Sequence, residues 1–199
     1  MISILILAAG ASSRMRGRDK LLEQIDGEPL LRRQVKRALA TGCNVVVTLP
    51  PSPHPRYELF DGLEAHLVAV ADADEGMNAS LRAGVAALPP TTKAVMVLLA
   101  DMPNITLNDL NTMLEAVDLK SETKIYRATT QGGKFGHPIL FHHSLFPDLI
   151  ALVGDQGGKA VAQRYLKETT AVPLPDEHAL TDLDTPEDWD RWRNLLPNQ

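Results

Sequence analysis

The sequence predicts an α/β fold: a doubly wound, mostly parallel sheet with helices on both faces and a small antiparallel element. Three observations carry this. Six of the seven residues from Ile2 to Ala8 are apolar, as in a strand buried on both faces of a parallel sheet. Short apolar runs then alternate with helical patterns along the chain. Glycine or proline punctuates most junctions.

The elements follow in order. Ile2–Ala8 is the first strand, and Ala9-Gly10-Ala11-Ser12-Ser13-Arg14-Met15 leaves it as a loop that ends at Asp19-Lys20. Asp26-Gly27 marks a turn, and Pro29 fits the first turn of a helix carrying Leu31, Val35, Ala38 and Leu39, which Gly42 ends. Asn44–Leu49 is a second buried strand, and the proline-rich run after it reads as a surface connection. His66–Val70 is a short third strand, and Asn78–Leu88 a helix stopped by Pro89-Pro90. Lys93–Ala100 is a fourth strand, placed at the sheet centre, and Thr106–Val117 a helix with a capping-box pair in Thr106 and Asp109. Lys124–Thr129 and Ile139–His142 are weaker strands around a loop at Gln131–His137. Helices follow near Ser144–Leu152 and Gly158–Lys167, then a strand at Thr170–Pro173. The last helix starts at Pro186, with Thr185 as N-cap and Asp188 as the capping acid.

The 199 residues fit one domain, with a nucleotide-binding half over about 1–118 and an acceptor-binding half over about 119–199. A net charge of −5 gives no footprint for nucleic acid. The first apolar run is too short to span a membrane and has no basic residues before it, so no membrane association and a cytoplasmic location are expected. The single cysteine, Cys43, excludes an intrachain disulfide framework and reads as a buried structural thiol.

Chemistry concentrates in a few segments. In an open α/β sheet, ligands bind at the loop leaving the carboxyl end of a strand. The first loop offers a glycine, two hydroxyls, an arginine and a lysine, which suit a nucleoside triphosphate. Neither common phosphate loop is present. Gly10 lacks the spaced glycines of G-x-G-x-x-G, and Lys20 does not follow Gly17 as the P-loop requires. Leu98-Leu99-Ala100-Asp101-Met102-Pro103 delivers Asp101 to the end of the central strand. That acid could serve only to cap a turn, but Thr106 already caps the next helix. A carboxylate facing a triphosphate needs a cation between them, and Mg²⁺ takes one or two carboxylates together with phosphate oxygens. In Thr181-Asp182-Leu183-Asp184, alternation points both acids one way and Leu183 into the core. Gly76 precedes a helix N-terminus whose amides could face an anion, with Ser80 in its first turn.

LAAGASSRMRGRDK resembles the L-A-A-G-x-x-x-R-M-x-x-x-x-K signature of nucleotidyltransferases with a Rossmann-like fold of the nucleotide-diphospho-sugar transferase type. LADMP resembles their metal-binding Asp segment, D-L-D-T-P-E-D their second metal segment, and E-G-M-N-A-S-L a segment over the nucleoside. G-H-P-I-L-F and G-D-Q-G-G-K-A resemble acceptor loops of molybdenum cofactor cytidylyltransferases, in the wider group of molybdopterin-guanine dinucleotide biosynthesis protein A.

The resemblance implies transfer of CMP from CTP to the terminal phosphate of molybdopterin, with release of pyrophosphate. It implies Lys20, Arg14 and Asp101 as catalytic residues. Leu7, Ala8, Ala9, Gly10, Ser12, Ser13, Arg14, Lys20, Gly76 and Ser80 would bind the nucleotide. Gly136, His137, Pro138 and Asp155 would face the acceptor, and Asp101, Asp184 and Asp182 would hold Mg²⁺, with Mn²⁺ as the alternative. LAAG in place of LAGG favours cytosine over guanine, because the Ala9 methyl crowds a larger base. The implied partners are CTP or GTP, a molybdopterin-type acceptor, and a molybdoenzyme or its chaperone as recipient. A guanylyltransferase, a sugar- or polyol-phosphate nucleotidyltransferase, and a nucleotide-binding regulator or cofactor chaperone without turnover are the alternatives.

Overall fold

The computed structural model describes residues 1–154 and 157–195. Strand β1 (Ile2–Leu7) leads into the loop that carries Lys20, which is followed by a two-strand ribbon of β2 (Gln24–Ile25) and β3 (Glu28–Pro29). Asp26 and Gly27 turn that ribbon with φ of 53° and 77°, the left-handed pair such a tight hairpin needs. Helix α1 (Leu30–Ala40), β4 (Asn44–Leu49) and β5 (His66–Ala69) come next. Then follow α2 (Met77–Ala86), β6 (Ala94–Leu99) and α3 (Leu107–Glu115). The second half contains β7 (Ile125–Thr129), β8 (Phe135–His142), α4 (Phe146–Ile150) and α5 (Lys159–Arg164), and closes with β9 (Thr169–Pro173) and α6 (Pro186–Leu195).

The seven-stranded sheet has the order β5-β4-β1-β6-β8-β7-β9, so β6 lies at its centre. β5, β4, β1 and β6 are parallel; β8 is antiparallel to both β6 and β7, and β7 pairs parallel with β9. This is the mostly parallel sheet with an antiparallel element that the sequence predicts. Alternation along β1 divides the core. Ile4 and Ile6 face α1, α3 and α6, including Trp189, while Leu5 faces α2, α4 and α5. Gly84 lets α2 lie close to the sheet, since a Cβ there would stand 2.3 Å from the Leu5 side chain. That approach sets the α2 N-terminus beside the carboxyl end of β1. No helix of the described residues is long and apolar enough to cross a membrane.

The structure departs from the sequence reading at several points. Pro29 is the N-cap of α1, one position before its first turn. The helices expected near Ser144–Leu152 and Gly158–Lys167 are short, each joined to a 3₁₀ turn. β8 begins at Phe135, inside the expected loop, which leaves a turn closed by Thr130 N–H donating to the Lys134 carbonyl. Arg127 pairs with Ile139 and Thr129 with Phe135, so β8 carries extra residues at Gly136, His137 and Pro138. Such a bulge tolerates a proline that the ladder would reject. The proline-rich connection is exposed from Pro51 to Pro53, but Arg56, immediately after it, is buried. Cys43 is partly buried at the margin of the core rather than enclosed by it.

Candidate active site

The carboxyl ends of β1 and β6 open into a cavity of about 360 Å³. Its floor is Leu7, Ala8, Ala9 and Gly10 on one side and Leu99, Ala100 and Asp101 on the other. Gly76, Met77 and Ser80 from the start of α2 form a wall, and Lys20 reaches in from the end of the loop. Gly76 holds φ at 92° to turn into α2, and no side chain caps that helix N-terminus. The Ala9 methyl packs with Val70 and Ala79. Of the residues expected to bind nucleotide, Leu7, Ala8, Ala9, Gly10, Lys20, Gly76 and Ser80 line this cavity. Ser12, Ser13 and Arg14 do not.

Charge gathers at the mouth. The Lys20 ammonium donates to Asp101 Oδ2 and, at 2.7 Å, to Asp184 Oδ1. Arg14 pairs with the other oxygen of Asp184 at 2.8 Å, though its own side chain is 66% exposed. Burial works against the charged amine of Lys20, but the Asp101 charge and the bonds to Asp101 and Asp184 outweigh it and raise its pKa. Asp182 responds to the same cluster: burial first, then Asp101 and Asp184, push its carboxyl upward.

Backbone contacts bring these distant acids together. Leu183, buried between Asp182 and Asp184, donates its N–H to the Asp101 carbonyl at 3.1 Å. His178 on the same strap bonds Asp109 at 2.9 Å, and Asp109 is also the capping acid of α3. Thr185 and Asp188 bond each other as an N-terminal cap, which leaves Asp184 to face Lys20. From α1, Gln34 donates to the Met102 carbonyl and Arg37 to those of Pro103 and Ile105, so the turn after Asp101 is braced from below.

These acids suit a hard divalent cation. All their donors are oxygens, and Asp101 Oδ1 is buried without a partner. Among the described residues, no group of three or more His, Cys, Asp or Glu side chains converges to hold a metal unaided. The set therefore fits a cation that completes its shell with phosphate oxygens and water, as Mg²⁺ does, better than a protein-only cage of Asp101, Asp182 and Asp184.

A second cavity of about 400 Å³ lies across Leu99 from the first. Gly136, His137 and Asp182 line it, with Arg127 and Lys159 as its cations. Arg127 donates to the Gly136 carbonyl at 3.1 Å and lies over the Phe135 ring. Gly136 has no room for a side chain, because a Cβ would meet the Ala179 carbonyl at 1.8 Å. Burial, reinforced by the Arg127 charge, lowers the His137 pKa to about 4 and leaves a neutral ring, and its Nδ1 has no hydrogen-bond partner. Pro138 stands in the bulge but does not line the cavity. Asp155 lies outside the described residues.

Sequence reasoning missed Arg127, Lys159 and Arg56. Arg127 is an unremarked polar residue within a strand, and Lys159 stands in a glycine-rich segment read for its glycines. Asn78, buried in the first turn of α2, donates to the Val153 carbonyl at 2.9 Å.

Residues 4–170 match the model of the MobA-like NTP transferase domain. The chain belongs to that family. It is a nucleotidyltransferase. It is 29% identical to the purine catabolism protein PucB of Bacillus subtilis over 96% of this chain and 95% of that protein. It is 33% identical to a Synechococcus elongatus protein named "Probable molybdenum cofactor guanylyltransferase", over 92% and 94% of the two chains. Among solved structures, Rv0371c of Mycobacterium tuberculosis superposes with a TM-score of 0.79 at 24% identity, covering 97% of each chain. A manganese complex of Rv0371c superposes with a TM-score of 0.77 at 22% identity, over 98% of this chain and 99% of that one. At those identities the superpositions speak to the fold alone.

Proposed function

We propose that this nucleotidyltransferase moves CMP from CTP to the terminal phosphate of a molybdopterin-type acceptor, in the cytosol, and releases pyrophosphate. The observation that carries the reading is the junction at Asp101, where Lys20 and the acids meet between two cavities. The first cavity suits the nucleotide and the second, with Arg127 and Lys159, an anionic acceptor. On this reading the nucleotide half runs over about 1–118 and the acceptor half over about 119–199, with Leu99 and Met102 of the first half also lining the second cavity.

A phosphate nucleophile is already ionised, so no protein base is required, and catalysis reduces to alignment and charge neutralisation. Ala8 to Gly10, Gly76 and Ser80 hold the nucleoside and its sugar end. Lys20 turns from the acids to the β- and γ-phosphates, and Arg14 supports charge on the departing pyrophosphate. Asp101 and Asp184, with Asp182 beside them, hold the divalent cation, Mg²⁺ or Mn²⁺. When bound, that cation supplies positive charge to the triphosphate. Neutral His137 offers a hydrogen bond to the acceptor without adding charge, while Arg127 and Lys159 attract its phosphate.

CTP is favoured by Ala9, whose methyl lies in the cavity floor against Val70 and Ala79. The second reading is GTP, favoured by the name of the Synechococcus relative. Incubation with molybdopterin and each of the four NTPs, scored by product mass, separates the two. A cytidine dinucleotide supports the proposal, a guanine dinucleotide moves it to the second reading, and no dinucleotide with any NTP overturns it.

A further inference from the structure

Arg56 is the only lysine or arginine that the fold buries among the described residues, at 1% exposure. It lines neither cavity. Its guanidinium forks onto Asp19: Nε donates to Oδ2 and Nη2 to Oδ1, both at 2.7 Å. Nη1 donates to the Ala8 carbonyl at 2.6 Å, and Nη2 also reaches Ser12 Oγ at 3.1 Å. The Ser12 hydroxyl in turn donates to Asp19 Oδ1 at 3.1 Å, as does the Leu21 N–H at 3.0 Å. Burial alone would raise the Asp19 carboxyl, but the Arg56 bonds and charge hold it below the usual carboxylate range.

Those partners stand at the two ends of one loop. Ala8 is where the chain leaves β1, and Asp19 is the residue before Lys20. Between them, Ala9, Gly10 and Ala11 line the nucleotide cavity. Arg56 itself is held from outside the loop. His54 Nδ1 accepts its N–H at 3.3 Å, the neighbouring Tyr57 hydroxyl donates to the Pro50 carbonyl at 2.9 Å, and Arg32 donates to the Leu59 carbonyl at 2.6 Å.

The geometry points to Arg56 as a positioning residue: it clasps the nucleotide loop across Ala8 and Asp19 and so fixes the reach of Lys20 relative to the backbone that faces the nucleotide. The inference rests on the proposed function. A planar fork can serve the two ends together, whereas an ammonium can serve one well. A displacement of about 1 Å in a positioning group is enough to cost roughly 10²-fold in rate.

The test uses Arg56→Lys, which keeps the charge without the fork, and Asp19→Asn, which weakens the same pair from the loop side. Affinity for CTP or GTP, whichever the wild type turns over, is measured by calorimetry beside the KM values for nucleotide and molybdopterin. Hydrogen exchange is followed on the same samples. The clasp predicts nucleotide affinity and kcat/KM lowered by about 10²-fold, an unchanged KM for molybdopterin, and faster exchange confined to the loop from Ala9 to Lys20. Unchanged nucleotide affinity, an equal rise in both KM values, or protection lost across the whole sheet overturns it. A wild type that binds no nucleotide removes the proposed function and the clasp together. A wild type that turns over nucleotide while both variants match it removes the clasp alone.

Discussion

Two groups of opposed charge hold the loop after β1, and they are built differently. At its base, Arg56 and Asp19 share two parallel bonds, with the guanidinium buried and a carbonyl and a hydroxyl also accepting from it. At its tip, Lys20 and Arg14 meet Asp101 and Asp184 at the mouth of a cavity, and one oxygen of Asp101 is left without a partner. At the base, every guanidinium nitrogen and both carboxylate oxygens have partners within the protein. The tip has an unpartnered acceptor in Asp101 Oδ1 and a 66% exposed cation in Arg14, which suits groups that exchange protein partners for a metal and a triphosphate. A buried ion pair that is complete in itself braces; one that is incomplete and open to a cavity is available for chemistry.

The largest expected effect breaks the base. Arg56→Met leaves Asp19 uncompensated and should cost about 3–5 kcal/mol of folding stability, read by urea denaturation. The tip should behave in the opposite way. Lys20→Ala and Asp101→Ala should lower kcat by about 10²–10³-fold, measured as pyrophosphate release, and cost less stability than Arg56→Met because both residues already face a cavity. A large loss of stability at the tip, or unimpaired turnover, would erase the distinction.

His137 sharpens the contrast on the acceptor side. Its folded pKa of about 4 lies below the value near 6.5 expected in an unfolded chain. The unfolded chain therefore takes up the proton first, and stability falls as pH drops from about 6.5 to 4, by about 2–3 kcal/mol. His137→Gln should remove that slope, as checked by denaturation at pH 7 and pH 4.5. The smallest effect concerns the scaffold. Gly84→Ala pushes a methyl into Leu5 and should cost about 1–3 kcal/mol, with a matching fall in nucleotide affinity as α2 lifts from β1.

How much of this was legible in the sequence depends on how local the signal is. β1, β6 and the capping box at Thr106 and Asp109 are written in neighbouring residues, and the structure has them as read. Asp101, Asp182 and Asp184 stand out because strand ends and caps leave them without local duties. The start of β8, from Phe135 to Pro138, was hidden because Gly132, Gly133 and Gly136 read as loop, whereas Gly136 is there to admit the Ala179 carbonyl. Arg56 was hidden more completely. Nothing in the sequence near it distinguishes a buried arginine from a solvated one, and its partner Asp19 lies 37 positions away.

The most direct test of the contrast between base and tip is Mn²⁺ binding, followed by electron paramagnetic resonance with and without CTP. Lys20 bonds both acids, so a divalent cation must displace it, and a triphosphate gives it somewhere to go. The account predicts weak Mn²⁺ binding to the wild type alone, much tighter binding with CTP, and tighter binding to Lys20→Met than to the wild type when CTP is absent. Mn²⁺ affinity that is indifferent to CTP and unchanged or weakened in Lys20→Met would contradict it.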